Sequence, residues 1–367
     1  MRTYIICTSP EGNAISNYFF LLARALSFRG DKVILVLDKQ YNGSNHEGSM
    51  TIYSWPSKRP TRIKDAVFFF KLCKEYQPDV TLGQFGSTNI VLLVSQLLRV
   101  PHRIVYWHTM FTQIRVDSNK PKLITFLLKH RKKGIISYCA THILTNSEAT
   151  KQDLIIHFKL PDNRIHILHY LIPNYFKSGT ILSKSEREFA LSFVGRLHKS
   201  KGHEVIINQL PKVFSCFPEM KLYVIGDGPE RNVLEDQCHK LNIDKQVIFV
   251  GSVSMESVYK HLSNTLIHIS ASVEEAFGLV NVEALSAGTP ILASKVGGIV
   301  DILSDDENGL FFNPSQRGSL LKGIKALIDE NWYRYSKNAR ITFLKTYESN
   351  DLNVSKQLNK LDNILNN

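Results

Sequence analysis

A chain of 367 residues is too long for one ordinary α/β domain and right for two. Its 43% hydrophobic and 10% aromatic content is that of a soluble globular protein with enough apolar residues for two cores. Five scattered cysteines (Cys7, Cys73, Cys139, Cys216 and Cys238), odd in number and never in a Cys-x-x-Cys, argue against a disulfide framework and a zinc site and for a reducing compartment. Nowhere do about 18 apolar residues run together, so no membrane span is expected. The start, Met1–Cys7, reads as a buried strand rather than a signal peptide. The net charge of +12 lies entirely in residues 1–170, with 23 Lys and Arg against 11 Asp and Glu; residues 171–367 hold 22 of each. A one-sided basic half suits an anionic partner (nucleic acid, a phospholipid surface or a polyphosphate substrate) or is a solvated surface.

In chain order, short apolar runs alternate with longer amphipathic stretches, the pattern of a parallel sheet wrapped by helices. Tyr4–Cys7 is predicted as a strand, followed by a loop over Thr8–Asn13 and a helix to about Arg29. Further strands are expected at Val33–Leu37, Val80–Leu82, Arg103–Trp107 and His142–Thr145. Leu171–Arg187, with Pro173, Asn174 and Gly179, reads as a linker. The pattern then restarts with strands at Ala190–Val194, Lys221–Ile225, Val247–Val250, Leu266–Ile269 and Pro290–Ala293. Pro229 is placed in the first turn of the helix after the second of these. Trp332–Leu365 reads as helical and polar. The expected organisation is a first domain over 1–172, a linker over 173–188, a second domain over 189–345 and a C-terminal helix over 346–367 packing back on the first domain.

Chemistry concentrates in Glu274–Pro290. Gly288 and Pro290 stop a helix predicted over Phe277–Ala287, whose first turn offers unpaired amides at Phe277, Gly278 and Leu279. Such a helix start suits a phosphate or the oxygens of a sugar. Glu275 stands just before it and Glu283 about two turns in, so two carboxylates can grip different parts of one ligand.

Glu-x7-Glu, set within Glu-Ala-Phe-Gly-Leu-Val-x-x-Glu-Ala-Leu-x-Ala-Gly-x-Pro, resembles the signature of family 4 glycosyltransferases, retaining enzymes of GT-B fold. The likeness continues in order from Phe193 to Asp301. Phe193–Leu197 with Lys201-Gly202 resembles the family's basic pair for the donor diphosphate, Arg196 and Lys201. Gly226–Pro229 resembles the turn after the next strand, and could be no more than a turn. Phe249-Val250-Gly251 resembles the strand end beside the nucleobase, and Gly297-Gly298 with Asp301 the loop after the motif, with aspartate where glutamate is commoner.

The first half matches less fully. Only Gly12 stands where members have a glycine pair on the acceptor side. His108, closing a strand in Tyr106–Thr109, resembles the histidine beside the transferred sugar. Asn146-Ser147-Glu148 resembles the family's Ser-Glu after a strand, although capping the helix of Ala149–His157 would by itself account for Ser147. Ile114–Tyr138 concentrates Arg115, Lys120, Lys122, Lys129, Arg131, Lys132 and Lys133 among leucines and Phe126. That is either a basic amphipathic helix for an anionic membrane or a core-facing helix with a charged outer side.

The resemblance implies an α/β GT-B fold, with two Rossmann-like parallel-sheet domains facing across a donor-binding cleft. It implies transfer of a hexose from a UDP- or GDP-sugar to a hydroxyl, with retained configuration and neither metal nor other cofactor. Arg196 and Lys201 would stabilise the diphosphate. Glu275 and the amides of Phe277–Leu279 would hold the sugar and phosphate, Glu283 the ribose, and His108 the transferred sugar or acceptor; Gly226 and Val250 complete the donor side. The acceptor would be a lipid-linked oligosaccharide of bacterial surface polysaccharide, reached by a cytoplasmic protein peripheral on the inner face of the membrane, with no nucleic-acid partner. A GT-B epimerase or phosphorylase, or a basic nucleic-acid-binding protein, is the alternative. A dinucleotide-dependent oxidoreductase lacks its Gly-x-Gly-x-x-Gly followed by an acid about 20 residues on.

Overall fold

The computed structural model describes residues 1–38, 46–117, 133–176, 181–329 and 331–366. The chain forms two compact units. One comprises Met1–Phe111, Asn119–Ile172 and Ser349–Asn367; the other comprises Thr112–Ser118 and Pro173–Glu348. Fourteen strands are described, and each unit is built on a sheet of them.

The first sheet contains β1 (Thr3–Thr8), β2 (Lys32–Leu37), β3 (His46–Glu47), β4 (Met50–Ser54), β5 (Val80–Gln84), β6 (His102–Trp107), β7 (His142–Thr145) and β8 (Ile165–Ile167). They lie in the order β3-β4-β2-β1-β5-β6-β7-β8, all neighbours parallel except the short β3–β4 pair. Tyr4–Cys7 and Val33–Leu37 are buried throughout. Strands covered on both faces must be continuously apolar, which is why these read so plainly in the sequence. The helix Ala14–Phe28 makes the first crossover. Its amino end is closed by Asn13, whose side chain accepts from the Ser16 amide while Ser16 answers to the Asn13 amide.

The second sheet contains β9 (Glu188–Val194), β10 (Lys221–Ile225), β11 (Val247–Gly251), β12 (Thr265–Ser270), β13 (Ile291–Ser294) and β14 (Gly309–Phe312), in the order β11-β10-β9-β12-β13-β14 and wholly parallel. Leaving aside β3, both sheets start 3-2-1-4-5-6, the Rossmann order. The strand order reverses between β1 and β5 in one sheet and between β9 and β12 in the other. Ligands of such sheets bind beyond the carboxyl ends of the strands at those points.

The last helix, Asp351–Asn366, belongs to the first unit. It buries Leu358, Leu361, Ile364 and Leu365. Asp362 accepts from Arg2 and Arg29 at 3.0 and 2.6 Å, and the Tyr18 hydroxyl donates to Gln357 at 2.6 Å. The polar stretch from Trp332 is not one helix: Trp332–Thr342 widens into a π turn at Phe343–Tyr347, and the chain extends at Glu348 before helix resumes.

Arg340, buried on Trp332–Thr342, donates to the Ser286 carbonyl at 2.5 Å, to Asn174 Oδ1 at 2.9 Å and to the Phe176 carbonyl at 3.0 Å. Replacing it strands the Ser286 and Phe176 carbonyls and leaves Asn174 Oδ1 with the Phe176 amide alone, so Arg340→Met is expected to lower the unfolding free energy by about 2–3 kcal/mol. Exposed Lys337→Met in the same helix should stay within about 0.5 kcal/mol. Urea titration of the two variants checks the contrast.

Candidate functional site

In the second unit the site forms where β9 and β12 part. After β9 the chain passes Gly195 and Arg196 and makes a 3-10 turn, Lys199–Lys201, closed by Gly202 in the left-handed region at φ +73°. A side-chain carbon at Gly202 would collide with the Ala271 carbonyl. The glycine therefore lets the turn lie on the chain leaving β12, where the Val273 amide donates to the Ser200 carbonyl at 2.7 Å. That contact delivers Lys201 to Glu275: Nζ stands 2.5 Å from Oε2, both side chains largely sheltered, and Ser272 Oγ donates to the same oxygen at 3.0 Å. Arg196 is exposed beside them and makes no ion pair among the described residues.

The helix after Glu275 starts later than the sequence suggests, at Leu279, and ends at Ser286 rather than Ala287. Gly278 adopts φ +93° as its N-cap and no side chain caps it. This corrects the expected first turn: Phe277 and Gly278 precede the helix, and the first helical amides are those of Leu279 and Val280. Phe277 itself is a core residue, its ring 6.1 Å from that of Tyr347. Behind this segment, a side-chain carbon at Gly297 or Gly298 would strike the backbone of Glu275 or Ala276, and the Gly298 amide donates to the Glu275 carbonyl at 2.8 Å. The two glycines hold Glu275 by close backbone approach.

Glu283 is buried within that helix, and its carboxylate has no hydrogen-bond partner among the described residues. Desolvation raises its pKa from 4.5 to about 7. Tyr175 and Tyr259, rings 4.1 Å apart, lie near enough for the Glu283 charge to raise their own pKa values in turn. Gly226 and Gly228 pack tightly against the backbone of Gly195 and Leu197, so their role in the fold is close packing of the β9 and β10 exits. Val250 lies half-buried near the end of β11. The helix after Gly226–Pro229 begins at Arg231, leaving Pro229 ahead of it rather than in its first turn.

In the first unit, His108 follows β6 and is buried between the rings of Phe85 (4.2 Å, 11°) and Tyr106 (4.7 Å, 24°). Its Nδ1 meets the Tyr170 hydroxyl at 2.5 Å, while Nε2 has no partner among the described residues. Burial holds its pKa down to about 3 from an ordinary 6.5. Beyond the ends of β1, β2 and β5, Thr8 Oγ1, Asp38 Oδ1 and both amide atoms of Gln84 are likewise buried without partners among the described residues, around a small cavity that Trp55 and Ser87 also line. Gly12, exposed at φ +137°, has its amide held by Asn17 Oδ1 at 3.0 Å. Ser147 caps the helix Glu148–Asp153 by accepting from the Thr150 amide at 3.0 Å. Of the basic cluster, Lys120, Lys122, Lys129, Arg131 and Lys132 lie outside the described residues; Lys133 is half-buried. Among the described residues there is no helix long and apolar enough to cross a membrane, and no cluster of three or more His, Cys, Asp or Glu able to hold a metal ion.

With this geometry in place, comparison with known proteins is decisive. Residues 178–342 match the family described as glycosyl transferases group 1, and residues 15–172 match Glycosyltransferase Family 4. The chain belongs to glycosyltransferase family 4. An uncharacterized glycosyltransferase of Methanocaldococcus jannaschii is 29% identical over 217 residues, 56% of this chain and 55% of that one. The chain thus spans little more than half of that relative's length. In Campylobacter jejuni, an N-acetylgalactosamine-N,N'-diacetylbacillosaminyl-diphospho-undecaprenol 4-alpha-N-acetylgalactosaminyltransferase is 24% identical over 77% of this chain and 76% of its own. The GPI3 subunit of phosphatidylinositol N-acetylglucosaminyltransferase from Saccharomyces cerevisiae is 28% identical over 81% and 68%. Among solved structures, sucrose-phosphate synthase of Thermosynechococcus elongatus covers 99% of both chains at TM-score 0.76 and 19% identity. Anabaena HepE in complex with UDP and glucose covers 98% of this chain and 99% of its own at TM-score 0.73 and 16% identity, and these likenesses establish the GT-B glycosyltransferase fold.

Glu283 gives a pH test. Its folded pKa lies above the unfolded value, so the fold binds more protons than the unfolded chain and loses stability as pH rises from about 4.5 to 7. Glu283→Gln removes that loss. Relative to the native chain, the variant should gain up to about 3 kcal/mol between pH 4.5 and pH 8, read by urea unfolding at both pH values.

Proposed function

We propose that this glycosyltransferase moves a hexose-type sugar from a UDP- or GDP-sugar to a hydroxyl acceptor, with retained anomeric configuration and no metal ion. The acceptor in this reading is a lipid-linked oligosaccharide of bacterial surface polysaccharide. The observation that carries it is the Lys201–Glu275 pair at the parting of β9 and β12, with exposed Arg196 beside it and an uncapped helix start just beyond. Two cations and free amides suit a diphosphate, and a carboxylate among them suits sugar hydroxyls. Arg196 and Lys201 then stabilise the charge that grows on the leaving diphosphate, Glu275 orients the transferring sugar, and Glu283 takes the ribose hydroxyls. A leaving phosphate of this kind can itself help deprotonate an acceptor on the same face. The nucleotide assignment draws support from the UDP and glucose named with Anabaena HepE, and the lipid-linked acceptor from the diphospho-undecaprenol and phosphatidylinositol in the names of two relatives.

A thermal-shift panel of UDP, GDP, ADP and their sugars tests the donor. A ligand at about 100 times its dissociation constant should stabilise the protein by about 2.7 kcal/mol, and no shift with any UDP or GDP compound would overturn the reading. Arg196→Ala should melt like the native chain, because Arg196 makes no ion pair among the described residues, yet turn over donor about 10- to 100-fold more slowly, the loss of one charged hydrogen bond.

For the acceptor side we propose a peripheral seat on an anionic membrane through the basic segment that includes Lys120, Lys122, Lys129, Arg131, Lys132 and Lys133. Each basic residue near such a surface contributes about 1 kcal/mol, within a Debye length of about 8 Å. Binding to vesicles should need anionic lipid, weaken with salt and fall when Lys129, Arg131, Lys132 and Lys133 become glutamine. Equal binding to neutral vesicles would exclude this seat.

A further inference from the structure

The surroundings of His108 decide more than its place. Asn146, which follows β7, is oriented by the His108 carbonyl, which can only accept, so its amide nitrogen faces that carbonyl and its Oδ1 accepts the Thr150 hydroxyl at 2.9 Å. That nitrogen donates to the His108 carbonyl at 3.2 Å and reaches the Tyr170 hydroxyl oxygen at 3.5 Å. The Tyr170 proton has His108 Nδ1 within reach at 2.5 Å, and the hydroxyl of Tyr106 lies near the same oxygen. The Tyr106 hydroxyl itself donates to the Leu168 carbonyl. An imidazole nitrogen is a far stronger base than a phenol oxygen, so the proton of Tyr170 belongs to Nδ1. A neutral imidazole that accepts at Nδ1 carries its own proton on Nε2. Phe85 and Tyr106 clamp the ring on both faces, and Nε2 is the ring atom left without a partner among the described residues.

We infer that Tyr170 is a positioning residue that fixes His108 as the Nε2–H tautomer, so that the buried imidazole offers one neutral hydrogen-bond donor to an oxygen of a bound sugar. His108 is then not a general base, because Nδ1 is covered and Nε2 already holds its proton. Asn146 acts one step further out, holding Tyr170 in the donating orientation. The identity of the oxygen rests on the proposed glycosyl transfer; the tautomer does not.

The test is nitrogen-15 NMR of the full chain labelled at histidine, with the His108 signal assigned by its loss in His108→Gln. The native protein without ligand should show a protonated Nε2 and an Nδ1 shifted as a hydrogen-bond acceptor; a protonated Nδ1 overturns the inference. In Tyr170→Phe the acceptor shift should vanish. The His108 pKa should also rise by roughly 0.5–1 unit, since a hydrogen bond to the neutral form has been lost. An unchanged Nδ1 in a folded variant also overturns it. Should that variant not fold, the native spectrum decides alone. Turnover of UDP-glucose separates the two layers. Tyr170→Phe should slow it roughly 5- to 50-fold, and His108→Gln, whose amide can present an N–H near the Nε2 position, should keep more activity than His108→Leu. The expected tautomer with turnover indifferent to His108 would uphold the relay and remove His108 from the proposed reaction.

Discussion

A helix whose last turn is buried cannot leave its last carbonyls to water, and the helix Leu279–Ser286, buried from Asn281 onward, is such a helix. Two arginines meet that demand. Arg187, itself buried, donates to the Ala287 carbonyl at 2.9 Å and to the Thr265 carbonyl at 3.0 Å, and Arg340 reaches the Ser286 carbonyl. Ser336 adds a bond to the Gly288 carbonyl at 2.6 Å. Burial alone pulls the Arg187 pKa down to about 10, still far above neutrality, so the cation persists and meets the negative end of the helix dipole. With one end fixed by charge, the opposite end is free of caps and points its amides at the parting of β9 and β12. Polarity runs through the helix from a protein cation at one end to a start with no side-chain cap at the other.

The two sheets share one strand order but carry different chemistry where it reverses. In the second unit the residues there are ionic: Arg196, Lys201, Glu275 and, deeper, Glu283. In the first they are neutral and aromatic: Thr8, Gln84, His108, Phe85 and Tyr170, with Asp38 the one carboxylate among these. An ionic set suits a diphosphate, and a neutral hydrogen-bonding set with ring faces suits uncharged hydroxyl-rich groups. The excess positive charge does not follow this division: it lies in residues 1–170, whereas the ionic set lies in residues 196–283.

Strands buried on both faces were legible because their sequences are unbroken apolar runs; Tyr4–Cys7 and Val33–Leu37 are found within a residue of where the pattern puts them. Strands at and next to the rims of the first sheet were not. Met-Thr-Ile-Tyr-Ser of β4 alternates and β8 has only three residues, so neither rises above its surroundings. The late start of the Leu279 helix was hidden by the left-handed Gly278, a conformation that a glycine permits but does not announce. Glu275, Lys201 and His108 could be singled out because each sits next to a strand end or a helix start. How they pair, and what supports them, could not. Glu275 and Lys201 are 74 residues apart, His108 and Tyr170 are 62 apart, and no local signal marks Tyr170, Ser272, Arg187 or Arg340 as what holds them.

The glycines in the loops after β9, β10 and β13 have a consequence for how this protein can diversify. At Gly202, Gly226, Gly228, Gly297 and Gly298 one backbone rests directly on another, with no space for even a methyl group. Loop paths there are closed to gradual change, since the smallest enlargement already collides with main chain. Novelty in what the second unit recognises must therefore arise at positions whose side chains reach open space, such as Arg196, Val250 and Tyr175. The architecture separates an unalterable frame from an adaptable rim, and a change of ligand can be sampled on the rim without reopening the frame.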